Sequence, residues 1–325
     1  MHLGNLFGAI RPFVELTKQE KEADFFLFLA NMHGLTVIHD ATTLRNYSLT
    51  ILKLYKALGV DTSRVYIYNP ADIPGHAQLN WVLTCLTIMG TMERMHSYKD
   101  ALAKGKAGEV SVGTFCYPIL MASDILLYDA NYIPVGEDQF QHIELTRNLA
   151  ERFNRKFGEV FTVPEDTRHQ VEFMGSGKGV RIRDLVDPTK KMSKSTAGEN
   201  SKIMLSDEPK RAAKKIMSAT TDSFGEIQFD FATRPGISNL LQIEALISGR
   251  PLDDVIAQWS GKTQYGELKK TVAASVERLL TEFQDKLSAI KDSDVLPLLE
   301  TGEAYANAKA SAKLQTVYKQ IGLMA

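Results

Sequence analysis

Two short apolar runs joined through one amphipathic helix limit what this chain can fold into more than any other feature. Phe25-Phe26-Leu27-Phe28-Leu29-Ala30 is unbroken, aromatic-rich and short, which predicts a buried parallel strand. From Ala41 to Leu58 the residues Leu44, Tyr47, Ile51, Leu54 and Leu58 recur at helical spacing, and Val65-Tyr66-Ile67-Tyr68 then forms a second strand. A strand, a helix and a strand in this order make a βαβ rhythm, which puts the first half of the chain in the α/β class.

Further helices are expected over 5–16, 77–88, 92–102, 117–126 and 139–157. Between the third and fourth of these, Lys104, Gly105, Lys106, Ala107 and Gly108 read as a mobile basic loop. Tyr132-Ile133-Pro134-Val135 reads as a short strand that feeds Gly136-Glu137-Asp138-Gln139 at a helix start. Ligands of α/β sheets bind at such strand ends. Beyond Pro188 strand-like runs nearly vanish and amphipathic helices take over, including 237–247 and 302–321, so a domain boundary is placed between 188 and 189.

Composition excludes several classes. With 44% hydrophobic and 24% charged residues the chain is an ordinary globular one, not a disordered one. No apolar run is long enough to span a bilayer and the N-terminal residues lack a secretory layout, so a cytoplasmic location is expected. Cys85 and Cys116 have no partner at metal-ligand spacing, so neither a disulfide framework nor a structural metal is expected. The net charge of −1 means that any RNA contact must use local patches.

Two motifs carry chemistry. Asp187-Pro188-Thr189-Lys190-Lys191-Met192-Ser193-Lys194-Ser195 packs three lysines into five residues among hydroxyls, which suits a cationic loop that follows a polyphosphate. Composition alone leaves it equally readable as a solvated basic loop. His2-Leu3-Gly4-Asn5 opens a predicted helix, where free N–H groups and the helix dipole favour an anion. On its own it is also an ordinary helix start.

Taken together, the HxGN at a helix start and the distant KMSKS resemble the two signatures of class I aminoacyl-tRNA synthetases. Asn5-Leu6-Phe7-Gly8-Ala9, the 117–128 block YPILMASDILLY, Val135-Gly136-Glu137-Asp138-Gln139 and Arg234-Pro235-Gly236-Ile237-Ser238-Asn239-Leu240-Leu241 narrow the resemblance to the tryptophanyl-tRNA synthetases of bacterial type. It covers nearly the whole chain. It implies a Rossmann-like doubly wound parallel sheet in a nucleotide-binding domain over 1–188, with dimer-interface helices. Residues 189–325 are then the KMSKS loop and an all-helical anticodon-binding domain.

The resemblance also implies site roles. Asp124 accepts the indole N–H and Met121 packs on the ring, so phenylalanine would leave a buried carboxylate unpaired. Tyr117 and Gln139 meet the α-amino group, and His33 and Val135 complete the tryptophan pocket. His33 alone is also readable as a core histidine, and Asp124 as a satisfied helix aspartate. His2, Gly4, Asn5, Gly136, Asp138, Ile182, Lys191, Met192, Ser193, Lys194 and Ser195 fall on the ATP-binding positions, with Lys191, Lys194, His2, Asn5 and Lys99 assisting the reaction. The implied chemistry is in-line attack of the tryptophan carboxylate on the α-phosphorus of ATP, carried with Mg2+, followed by transfer to tRNA(Trp). The implied assembly is a homodimer with neither membrane nor DNA as a partner.

Two departures from the family stand out. Its members carry a strand and substrate-contacting loop ahead of HxGN, whereas the motif here begins at His2; a central strand is costly to lose, so the natural chain is expected to start upstream of Met1. In the loop after Met92-Glu93-Arg94-Met95 relatives place paired lysines that reach pyrophosphate. Lys99 matches one, Ala101 stands at the other, and Lys104 or Lys106 is expected to substitute. Tyrosyl-tRNA synthetase and a non-catalytic paralogue are the competing readings.

Overall fold

The computed structural model describes residues 1–103, 110–173, 181–193 and 198–324. Lys104 and Lys106, and Lys194 and Ser195 of the KMSKS motif, lie outside the described residues. The chain packs as two compact units, one of Met1–Glu15 with Gly177–Ile290, the other of Leu16–Ser176 with Lys291–Ala325. Packing therefore groups the HLGN segment with residues beyond 177, and the last helix with the first half of the chain.

In the unit built on Leu16–Ser176, β1 (Phe25–Phe28) and β2 (Val65–Tyr68) pair in parallel, with Phe25 opposite Val65 and Phe28 opposite Tyr68. The first strand stops two residues earlier than its apolar run because Asn31 N–H turns back to the Leu29 carbonyl and starts the short helix Asn31–Gly34. The crossover helix spans Ala41–Ala57; Asp40 caps it by accepting the Thr43 N–H at 2.7 Å, and Gly59 in the left-handed region ends it. The βαβ expectation holds in type and in position.

Tyr132–Val135 is extended but pairs with no strand among the described residues. A side chain does the work of a neighbour: the Ile133 N–H donates to Gln170 Oε1 at 2.8 Å, while Gln170 Nε2 donates to the Asn131 and Glu165 carbonyls. Gln170 is buried, so these bonds satisfy backbone groups that a ladder would otherwise serve.

The last helix, Leu296–Gln320, starts earlier than the sequence suggests, with a proline in its first turn. It lies directly on β2. Tyr305 stacks on Tyr66 with ring centroids 3.8 Å apart, Lys313 pairs with Asp129 at 2.6 Å, and Ala306 and Ala310 are fully buried in the core with Leu79, Leu83 and Phe153. The contact tolerates no side chain at Gly302, where a Cβ would sit 2.0 Å from the Ile67 carbonyl oxygen.

In the other unit the chain from His2 enters a helical turn, Leu3–Asn5, widens to a π-turn over Leu6–Ile10 and continues as Arg11–Gln19. The start is tied to the segment after the KMSKS motif: Leu3 N–H donates to the Ile203 carbonyl and Leu205 N–H to the Met1 carbonyl. Four helices, Pro209–Met217, Pro235–Ser248, Leu252–Trp259 and Tyr265–Ala289, supply the body of this unit. A buried Lys215–Asp207 pair at 2.6 Å fixes the first of them, with Lys215 also donating to the Lys202 carbonyl. No described helix is long and apolar enough to cross a membrane.

Because the Ile67 carbonyl belongs to a paired strand and cannot retreat, Gly302→Ala is expected to cost about 3 kcal/mol or more. Denaturant unfolding followed by tyrosine fluorescence checks this; an unchanged midpoint would show that the helix can shift off β2.

Candidate active site

The helix Val112–Leu126, capped by Ser111 accepting from the Thr114 N–H, carries Tyr117, Met121 and Asp124 at the spacing that puts them on one face. Asp124 is only 5% exposed. Its two oxygens are held separately: Oδ1 accepts from His76 Nδ1 at 2.6 Å and Oδ2 from His33 Nε2 at 2.7 Å. A carboxylate has about four acceptor positions, so two donors leave it with lone pairs to offer a ligand. His33, on the short helix after β1, is therefore bound into the site.

Tyr117 and His33 meet edge to face with centroids 6.1 Å apart. On its other side Tyr117 stacks on His142, and its hydroxyl lies 3.1 Å from His142 Nε2. Burial pushes the His142 imidazole below its ordinary range, opposed in part by the Asp138 carboxylate. Asp138 in turn accepts from Gln139 Nε2 at 2.9 Å, and its side chain folds over Gly136, where a Cβ would meet Asp138 Oδ1 at 2.6 Å. Tyr117, His33, Asp124, Asp138 and Gln139 thus form one connected polar wall, with Val135 half-buried beside it. Lys99 is exposed on the helix His96–Ala103.

The nucleotide-type motifs are built in the other unit. A Cβ on Gly4 would meet the His2 ring at 2.9 Å and Met192 Cβ at 3.7 Å, so the HLGN turn and the KMSKS motif are in contact. Asn5 Oδ1 accepts the His2 N–H at 3.1 Å, closing the helix start. Ile182 and Met192 are both buried and bonded through backbone, Met192 N–H to the Ile182 carbonyl, in a tight hairpin with Arg183 opposite Lys191. Asn239 docks that hairpin: its Oδ1 accepts the Arg183 N–H and its Nδ2 donates to the Arg183 carbonyl.

Charge within the motif is unevenly spent. Asp187 accepts from Thr189 Oγ1 and pairs with Lys190 at 2.8 Å, and these contacts hold its carboxyl down at about 2. Lys191 is exposed and has no acidic partner among the described residues, and Ser193 is half-buried beside it. His2 is buried, its Nδ1 has no partner among the described residues, and burial above all pushes its imidazole down to about 4.

Sequence reading missed His76, His142, Tyr128 and Asn239. The signals were present but faint: His76 follows Pro74-Gly75 at a helix start, and His142 lies one turn after Gln139.

Residues 1–281 match the family described as tRNA synthetases class I (W and Y). The tryptophan–tRNA ligase of Caldanaerobacter subterraneus is 42% identical over 100% of this chain and 95% of its own, and that of Bacillus subtilis is 40% identical over 99% and 94%. Among solved structures, tryptophanyl-tRNA synthetase from Mycoplasma pneumoniae superposes with a TM-score of 0.83 at 32% identity, covering 100% of this chain and 95% of that one. The enzyme from Campylobacter jejuni, complexed with ADP and tryptophan, gives 0.80 at 32% identity, covering 99% and 96%. This chain belongs to the class I aminoacyl-tRNA synthetases, in the branch formed by the tryptophan–tRNA ligases.

A histidine held neutral by burial disfavours the folded state once the unfolded chain begins to protonate. The His2 contribution is therefore intact above about pH 6.5 and is lost as the pH falls towards about 4. His2→Gln is expected to flatten this acid limb of the melting temperature, and an unaltered limb would assign it to other groups.

Proposed function

We propose that this chain activates L-tryptophan with ATP, forming tryptophanyl-adenylate and pyrophosphate, and then transfers tryptophan to the terminal adenosine of tRNA(Trp). The observation that carries the reading is the buried Asp124 carboxylate, pinned by two histidines with acceptor capacity left over. An indole N–H satisfies that spare acceptor position, whereas a hydrocarbon ring buries it without a donor. Met121 packs on the ring, Tyr117 and Gln139 receive the α-amino group, and His33 and Val135 close the pocket.

ATP is read onto His2, Gly4, Asn5, Gly136, Asp138, Ile182, Lys191, Met192, Ser193, Lys194 and Ser195. The contact between Gly4 and Met192 supports this, since a glycine lets a flat base approach the backbone there. Asn5 keeps its amide NH2 for ribose or phosphate because only its oxygen is used in the cap. Lys191 and Lys194, with His2, Asn5 and Lys99, stabilise the charge that moves to pyrophosphate, so catalysis is positioning and electrostatics. Mg2+ is read as part of the ATP substrate, carried on its phosphates.

The finer architecture is proposed on the same family ground: a Rossmann-like doubly wound sheet in a catalytic part over 1–188, and a KMSKS loop with a helical anticodon-binding part over 189–325. A homodimer in the cytoplasm is the assembly we favour. Trp81, Ile88, Met89 and Val112 support it, being exposed apolar side chains on three neighbouring segments, with Trp81 68% exposed.

ATP–pyrophosphate exchange run in parallel with tryptophan, tyrosine and phenylalanine tests the function, with exchange expected for tryptophan alone. Asp124→Ala is expected to lower kcat/KM for tryptophan about 100-fold, and a loss confined to ATP would overturn the assignment. Lys99→Ala should slow adenylate formation more than it weakens tryptophan binding; equal effects would remove Lys99 from the reaction.

A further inference from the structure

Behind Asp124 lies a hydrogen-bonded row that the tryptophan pocket does not itself require. His76 is fully buried at the start of the helix Gly75–Leu86. Its Nδ1 meets Asp124 Oδ1 at 2.6 Å, and its Nε2 meets the Tyr128 hydroxyl at 2.9 Å. The Tyr128 ring packs in turn on that of Tyr68, fully buried at the end of β2, with centroids 5.3 Å apart. The hydrogen-bonded row therefore runs from one phenol, through one imidazole, to the carboxylate, with the Tyr68 ring packed behind it.

The direction of that row follows from the groups in it. Burial raises both phenols, so each is an O–H at working pH. The Asp124 carboxylate can only accept, so His76 Nδ1 donates to it and Nε2 takes the one Tyr128 proton. A neutral imidazole that accepts at Nε2 carries its proton at Nδ1, and so donates to Asp124 Oδ1. Every bond points toward the carboxylate. Were the row reversed, Asp124 would hold the proton and donate, and its capacity to accept from a substrate would fall.

We propose that His76, oriented by Tyr128, is the positioning residue that holds Asp124 Oδ1 from behind, so that the carboxylate faces the substrate as an acceptor and sets selectivity for a ring N–H. The proposal rests on the reading of Asp124 as the indole acceptor. His33 cannot replace it, because His33 binds the other oxygen and is partly exposed, whereas His76 is closed off and polarised from behind. His76 touches neither ATP nor tryptophan in this scheme and acts only through the carboxylate.

The test compares tryptophan with β-(3-benzothienyl)alanine, which has the same ring shape but no N–H donor, in exchange assays on the full chain. Asparagine places an N–H near the position of Nδ1, whereas glutamine reaches that of Nε2. His76→Gln is expected to raise the tryptophan KM about tenfold, leave the KM for ATP unchanged and lower the tryptophan-to-analogue ratio by a similar factor. His76→Asn should keep that ratio within about threefold of the parent. Tyr128→Phe, a milder change that covers the case of an insoluble His76 variant, should shift the ratio in the same direction by a smaller factor. Equal losses for both amino acids, or Asn no better than Gln, would overturn the proposal. Asp124→Ala in the same assay separates the two claims: if it leaves the ratio intact the reading of Asp124 fails, and if it alone collapses the ratio only the role of His76 fails.

Discussion

One buried negative charge, Asp124, organises the proposed tryptophan site. Asp124 lies out of water, and a carboxylate there is tolerable only if donors surround it. Two histidines supply them, one from the helix that follows β1 and one from the helix that follows β2, so three separate elements are fastened at a single point. The fastening explains why the βαβ unit and the 112–126 helix have to be assembled together. It also explains why so many rings collect there, since Phe28, Tyr68, Tyr117 and Tyr128 exclude water from the charge while leaving hydroxyls to bond.

The proposed nucleotide site is organised by backbone. The 182–192 hairpin presents Ile182 and Met192 through main-chain bonds, and a single buried amide, Asn239, supplies both a donor and an acceptor to Arg183 to hold the turn against the helix Pro235–Ser248. Asp187 then ties Lys190 to the base of the loop and leaves Lys191 unpaired among the described residues. Charge is thus divided within a few residues between a structural lysine and an available one. That division suits a reaction in which the phosphate charge moves and the cation must follow it.

Local pattern made several parts of the fold legible. The aromatic run at 25–28 and the alternation at 65–68 gave both strands, and the Asp40 cap and the Gly59 stop bound the helix between them. Tyr132–Val135 went the other way. Its composition reads as strand, yet a glutamine from 37 residues downstream takes the backbone bond that a ladder would have taken, and no local signal announces such a partner. The extra turns of the last helix were hidden for a similar reason: the stretch before Gly302 has weak periodicity, and its helical state is settled by docking on β2.

The sequence by itself determined the chemical family, because HLGN, KMSKS, the 117–128 block and GEDQ are short contiguous strings whose meaning survives without coordinates. It also pointed to Asp124, through the resemblance of the 117–128 block to the family, while helix spacing alone says only that Asp124 shares a face with Tyr117. Only the tertiary structure decided which groups hold that acid. His33, His76, Tyr128 and Tyr68 are scattered over the chain from the helix after β1 to just past the 112–126 helix, and hydrogen bonding depends on distance in space, which no sequence spacing encodes across separate elements.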